Sequence, residues 1–181
     1  MVASESVVLL NEEGVPIGTG LKDAVHHEAT PLHLGFSCYL FDSAGRVLIT
    51  RRALTKRSWP GVWTNSFCGH PAPGEDLPAA VRRHAHDELS VRIDDPRAIL
   101  PDFRYRAVDA HGVVENEVCP VFMATTLGSV APNPREVMDF AWVSPADLVR
   151  TVATTPQVLS PWAVLQIPRI AGIIGGIGEP R

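Results

Sequence analysis

Two glutamates set in the apolar run VVENEVCPVF, Glu115 and Glu117, call for a chemical explanation. In a strand, residues i and i+2 share a face, so the two carboxylates lie side by side. Valines flank them on both faces, which predicts a central strand with an interior carboxylate pair. Such a pair repels and loses hydration unless a cation or a proton resolves it. A solvated strand face is the alternative, and the flanking valines weigh against it. Cys68-Gly69-His70 offers a second pair on one face of an extended segment. Gly69 would let a ligand or another backbone approach closely. Taken alone, this triplet reads first as a buried Cys and a satisfied His beside a turn. His26, His27 and His33 cluster in sequence, but their spacing across Pro31 is no ligand pattern by itself. Together, three His and two carboxylates suit one divalent ion, Zn2+ or Mn2+, and Mg2+ more weakly. That combination presumes a fold that gathers them; scattered residues are the other reading.

The basic residues point to an anion. Of 16 Lys and Arg, only Lys22 and Lys56 are lysine. Lys56 sits in RRALTKRSW beside Arg51, Arg52 and Arg57, a grouping that favours an anion site such as a diphosphate. Arg57 and Arg82 fit a solvated rim equally well.

The elements that must position these groups alternate in type. Residues 6–10 and the following NEEGVPIG predict a hairpin, and residues 21–29 a helix or loop ended by Pro31. Residues 33–41 and 46–50 read as strands around the turn DSAG, with a short strand near 64–68. The irregular stretch 53–76 is long enough to suggest function. Residues 77–89 form the clearest helix, with Asp76 as N-cap and Pro78 in the first turn. Val81, Ala85 and Leu89 give its buried stripe, while His84 and Glu88 share a second face. Residues 99–108 and 113–124 predict two long antiparallel strands joined across DAHG. Helices are expected at 145–151 and from 161 to 167. The tail from about 168 to 181 is expected to vary or fray. The pattern predicts an α+β fold: one domain over 1–181, with a mixed β-sheet flanked by helices.

Composition narrows the classes. The 181 residues are 45% hydrophobic and 20% charged, a globular balance for one domain. A net charge of −4 argues against nucleic acid or an anionic membrane as the main partner. Three cysteines cannot all pair within one chain, and no signal-peptide pattern opens the sequence. A cytoplasmic protein with reduced thiols is therefore expected, with no membrane helix.

A named pattern emerges at residues 69–91. Gly69-x5-Glu75-x7-Arg83, ending in Asp87-Glu88-Leu89, follows the frame of the Nudix box, a loop–helix–loop that binds Mg2+ and diphosphate. His84 replaces a Glu of that frame, Asp87 the first of its paired Glu, and Ser90 its later Gly. A diphosphohydrolase uses such carboxylates to hold metal and activate water, so these replacements argue against hydrolysis. LNEEGVPIG, LHLGFS, RRALTKRSWPGVWTNSFCGHP, DFRYRA, GVVENEVCPVF and SPW follow in the order of another Nudix-like family. From about Val7 to Trp162 the chain resembles the type 1 isopentenyl-diphosphate delta-isomerases.

That resemblance implies a Nudix-like fold and the interconversion of isopentenyl and dimethylallyl diphosphate. It implies His26, His33, His70, Glu115 and Glu117 as ligands of one divalent ion, Mn2+, Zn2+ or Mg2+. Cys68 and Glu117 match the catalytic pair, Tyr105 an active-site tyrosine and Trp162 an aromatic wall. Glu88 and the Cys68 backbone carbonyl match ligands of a second ion, Mg2+, carried by the diphosphate. Lys22, Arg52, Lys56 and Arg83 match or adjoin diphosphate contacts. Relatives commonly carry Arg or Lys where this chain has His84, and His27 matches no ligand. The implied partner is a small allylic or homoallylic diphosphate, with no nucleic acid or membrane, handled by a monomer or weak dimer. A metal-binding domain without activity is the remaining alternative, and the presence of every matched catalytic residue argues against it.

Overall fold

The computed structural model describes residues 6–176. The first half of the chain runs β1 (Ser6–Leu10), β2 (Pro16–Leu21), one helical turn α1 (Lys22–Val25), β3 (His33–Leu34), β4 (Phe36–Phe41), β5 (Val47–Arg52), β6 (Trp63–Thr64), β7 (Phe67–Gly69) and α2 (Leu77–Leu89). The second half adds β8 (Arg97–Leu100), β9 (Arg104–Val108), β10 (Val114–Val118), β11 (Val121–Thr125), β12 (Val137–Val143), α3 (Pro145–Thr154) and α4 (Pro161–Ile174). Elements of both kinds intermingle as expected, but the strands form two sheets rather than one. The first runs β2-β1-β3-β10-β9. The second runs β12-β5-β4-β11-β8, with β6 on β5 and β7 on β4.

The division into two sheets arises at a seam. The expected strand 113–124 breaks at Cys119-Pro120, where proline removes a ladder donor, and continues as β11 in the other sheet. Its parallel neighbour breaks at Gly35 between β3 and β4. The two chains stay together across the break: Gly35 N donates to Val118 O at 2.9 Å and Ser37 N to Pro120 O at 3.1 Å. The expected strand 99–108 likewise divides into β8 and β9 on different sheets. Its second part does pair antiparallel with β10 across the DAHG turn.

Alternation on β4 fills two cores. Phe36, Cys38 and Leu40 face α2 and meet its predicted stripe, Val81, Ala85 and Leu89. Tyr39 and Phe41 face the other way, into a core closed by α3 and α4. Each such buried side chain contributes about 1.5–3 kcal/mol relative to exposure. Asp76 caps α2 as expected, accepting from Ala79 N at 3.3 Å. Helix α4 does not stop at Pro168. It continues to Ile174, and Ile167, Ile170 and Ile174 form a buried stripe, so the expected fraying is absent up to that point. Residues 177–181 of that tail lie outside the described residues. Among the described residues, no helix is long and apolar enough to cross a membrane.

Candidate active site

The seam gathers the carboxylates and histidines. Strand register sets Glu117 opposite His33 on β3 and opposite Tyr105 on β9. Glu115 precedes it on the same face. His26 follows α1, and its Nδ1 lies 3.0 Å from Lys22 O, while His33 Nδ1 lies 3.0 Å from Pro31 O. Those carbonyls can accept only from N–H, so both rings turn their Nε2 lone pairs inward. His26 Nε2 is 3.4 Å from Glu115 Oε2, and His33 Nε2 is 3.4 Å from Glu117 Oε1. His70 Nε2 approaches the same Glu117 oxygen at 3.1 Å. The three ring centroids lie 5.0–5.5 Å apart.

This arrangement fits a divalent ion. Ligand atoms of His26, His33, His70 and Glu117 lie within 4.8 Å of one another. His33 Nε2, His70 Nδ1 and Glu115 Oε2 are buried without hydrogen-bond partners, a costly state that a cation would relieve. Glu115 is held from behind by Ser58 Oγ, which donates to Oε1 at 2.5 Å. His27, expected to be no ligand, instead caps a local turn through Thr30 and Ala29. Gly35 is the close neighbour that makes room: a Cβ there would stand 2.6 Å from Glu117 Oε2.

Charge states follow from the same contacts. Burial alone would raise the Glu117 pKa, but the adjoining imidazoles of His33 and His70 hold it well below the usual carboxylate range. Burial alone would lower His26 and His33. The adjoining Glu115 and Glu117 outweigh it, so both are raised above ordinary imidazole. Burial wins at His70, which is pushed down to about 4.

Cys68 enters the same cavity from β7. Its Sγ donates to Asn65 Oδ1 at 3.2 Å and lies 3.4 Å from Ser37 Oγ. Burial pushes this thiol up to about 12, against the pull of Ser37 and Asn65, so it carries its proton at neutral pH. Asn65 Oδ1 also accepts from Trp162 Nε1 at 2.9 Å. The Asn65 amide is itself pinned, donating to Cys38 O and Phe67 O. Ser160 caps α4 and sets Trp162 in its first turn, where the residue is only 2% exposed. The indole is tilted against Tyr105 at 5.7 Å and meets Trp59 edge-on at 5.6 Å.

The cavity measures about 520 Å³, and charged side chains make up much of its lining. Lys22, Arg52, Lys56, Arg57, Arg135 and Glu88 line it, together with Glu136. Lys56 pairs with Glu136. Arg52 donates to Ser58 O at 2.8 Å and lies 5.6 Å from the centroid of the Trp162 ring. Arg83 is placed differently from the rest. It does not line the cavity but grips Glu75, with contacts of 2.9 and 2.7 Å, and donates to His70 O. Asn65, Ser37, Ser58, Arg135, Glu136 and Gln166, whose amide donates to Ser37 Oγ at 2.9 Å, are parts of the site and its support that the sequence reading missed. A polar Ser37 within the apolar run of β4 was the one available signal. The roles of the others depend on contacts remote in sequence.

Comparison with known proteins places the chain in a family. The NUDIX domain family matches residues 31–163. A crystal structure of a Deinococcus radiodurans protein superposes with TM-score 0.69 at 22% identity, covering 91% of this chain and 98% of that one. A MutT protein from Methanosarcina mazei gives 0.62 at 18% identity, covering 81% and 96%. Both share the fold. The chain thus belongs to the NUDIX family, and within it to the isopentenyl-diphosphate Delta-isomerases. Proteins of that name are 58% identical in Mycolicibacterium vanbaalenii, over 97% of this chain and 96% of the relative. The counterpart in Clavibacter michiganensis is 56% identical over 91% and 85%, and that in Shigella dysenteriae 54% identical over 90% of each.

Proposed function

We propose that this cavity carries out the family's reaction, interconverting isopentenyl and dimethylallyl diphosphate, with Cys68 and Glu117 as its two proton-transfer groups. The observation that supports this reading is that Cys68 and Glu117 line one cavity together with Tyr105 and Trp162. Burial favours the protonated thiol, and the neighbouring imidazoles favour the ionised carboxylate. Moving the double bond by one carbon needs one proton delivered and another removed. The alkene π pair takes the first proton and leaves a tertiary cation; loss of a proton from the neighbouring carbon re-forms the double bond. The two groups exchange acid and base roles with the direction of reaction.

The remaining residues act on binding and on the cation. Trp162, tilted against Tyr105, offers a π face to the positive carbon and helps to exclude water that would trap it. Lys22, Arg52 and Lys56 hold the diphosphate, the one strong handle on a small apolar substrate. His26, His33, His70, Glu115 and Glu117 would hold one divalent ion, and three imidazoles favour Mn2+ or Zn2+ over Mg2+. That ion, when bound, would offset the carboxylate repulsion and make a proton on Glu117 more acidic. Glu88 and the Cys68 carbonyl would hold Mg2+ arriving with the diphosphate.

Turnover of isopentenyl diphosphate in D2O tests the reading. Deuterium should enter the product in the parent protein and not in Cys68→Ala or Glu117→Gln, with the fold retained. Release of phosphate from nucleoside diphosphate derivatives, without isomerisation, would point to a hydrolase instead.

A further inference from the structure

Helix α2 carries a buried histidine beside residues that line the site. His84 itself does not line the cavity. It is 5% exposed, with its ring edge-on to Phe36 at 5.3 Å. The ring fills the space beside Gly69, where a Cβ would stand 2.5 Å from Cε1 and Nε2. Its Nδ1 lies 2.9 Å from Glu88 Oε1, one helical turn away. Its Nε2 faces His70 O at 3.3 Å and Arg83 Nη1 at 3.4 Å. Since Glu75 clamps Arg83, contacts run unbroken from Glu75 through Arg83 and His84 to Glu88. Their far end is a carboxylate that does line the cavity.

We propose that His84 is a positioning residue for Glu88. Its Nδ1–H donates to Oε1, fixes the carboxylate in one orientation and leaves Oε2 directed to the cation that accompanies the diphosphate. The inference rests on Glu88 holding that cation. A glutamate has three side-chain torsions, and a buried donor behind it removes the freedom that ion binding would otherwise have to freeze. Groups that orient a ligand from behind typically alter metal affinity 10- to 100-fold. Arg83 thereby acquires a role: it holds the imidazole rather than the substrate.

The test is calorimetric titration of the protein, loaded with its transition metal, with inorganic diphosphate in Mg2+. His84→Phe keeps a ring beside Gly69 but has no donor. It should weaken Mg2+-dependent diphosphate binding about 10- to 100-fold. Bound transition metal should stay at the parent level, and kcat at saturating Mg2+ should change far less than the Mg2+ requirement. His84→Asn places an amide N–H near the Nδ1 position and should recover most of the affinity. Should the Phe variant fail to fold, His84→Gln serves, because its amide reaches the Nε2 position instead and should not recover affinity. Parent-like binding by His84→Phe, or equal losses in Phe and Asn, overturns the proposal. Glu88→Gln separates it from the reading beneath it: if that variant keeps the parent's Mg2+ dependence, the assignment of Glu88 itself is wrong.

Discussion

Adding one methyl group at Gly35 should disable the site and spare the fold. A Cβ at this position would stand 2.6 Å from Glu117 Oε2, 2.8 Å from Cδ and 3.1 Å from Oε1. Ordinary contact begins at 3.4 Å, so the carboxylate must retreat by 3.4 − 2.6, or 0.8 Å. It has little freedom to do so, because Oε1 is held 3.1 Å from His70 and 3.4 Å from His33. The Gly35 φ lies outside the left-handed region, so alanine meets no backbone penalty there. Misplacement of a reacting group by about 1 Å costs roughly a hundredfold in rate. Gly35→Ala should therefore lose about that much turnover, hold less transition metal by elemental analysis, and melt close to the parent by circular dichroism. Gly18→Ala is the control, since nothing stands within 4 Å of its Cβ. Parent-like turnover and metal content in Gly35→Ala would refute the claim that Glu117 must sit where it does.

Cys68→Ala should lose a factor of about 10²–10⁴ or more in isomerisation rate. Cys38→Ala, remote from the cavity, should keep its turnover, and equal losses in the two variants would remove Cys68 from the proton path. Trp162→Phe should slow turnover about tenfold, equivalent to about 1.4 kcal/mol of lost transition-state stabilisation. Trp162→Leu should be much slower, with diphosphate binding nearly unchanged; equal rates in Phe and Leu would make the indole a packing group. Ser90 closes α2 with φ of 51°, a left-handed conformation in which its Cβ is strained. Ser90→Gly should stabilise the protein by about 1 kcal/mol and raise Tm by about 2–4 °C with unchanged activity, and a lower Tm would show that the Ser side chain contributes more than its strain.

Legibility in the sequence depended on whether the signal was local. Glu115 and Glu117 could be read because valines on both faces predict an interior strand, where two co-facial carboxylates are costly. The α2 stripe and the Asp76 cap could be read because helix periodicity and capping are local. The sheet switch could not. Pro120 and Gly35 mark interruptions, but apolar alternation continues across both, so the pattern does not say that the chain passes to another sheet. That switch sets His33 beside Glu117 and brings Glu117 and Cys68 to one cavity, and the expectation that they act together comes from the family resemblance rather than from spacing. Asn65 stood unremarked in TNSF, because its importance lies in Trp162, Cys68 and Cys38, all fixed by the tertiary fold. Arg83 was read by charge and sequence neighbourhood, but Glu75 captures it before it can reach the cavity. Its glycines and Pro168 make the tail look irregular. The spacing of Ile167, Ile170 and Ile174 carried the stronger, helical signal.

The histidines also make a prediction about protons that activity measurements cannot reach. A metal ion takes imidazole only in its neutral form, so each protonated ligand must release its proton when the ion binds. His26 and His33 are raised above the ordinary value of 6.5 by Glu115 and Glu117. Below pH 6.5 both therefore hold protons, and they lose them as pH rises through the raised values. His70, lowered to about 4, is already neutral there, and Glu117, held well below 4.5, is already ionised. Metal uptake at pH 6 should thus release about two protons per ion, declining towards none as pH rises well above the two raised values. Titration calorimetry in buffers of different ionisation enthalpy counts those protons directly. His27→Ala should leave the count unchanged, because His27 stands outside the cluster. His26→Ala should remove about one proton per ion from any binding that remains. A release near zero at pH 6 would mean that the imidazoles stand neutral beside their carboxylates. The charges assigned here, with the ionised Glu117 held between two histidines, would then be wrong.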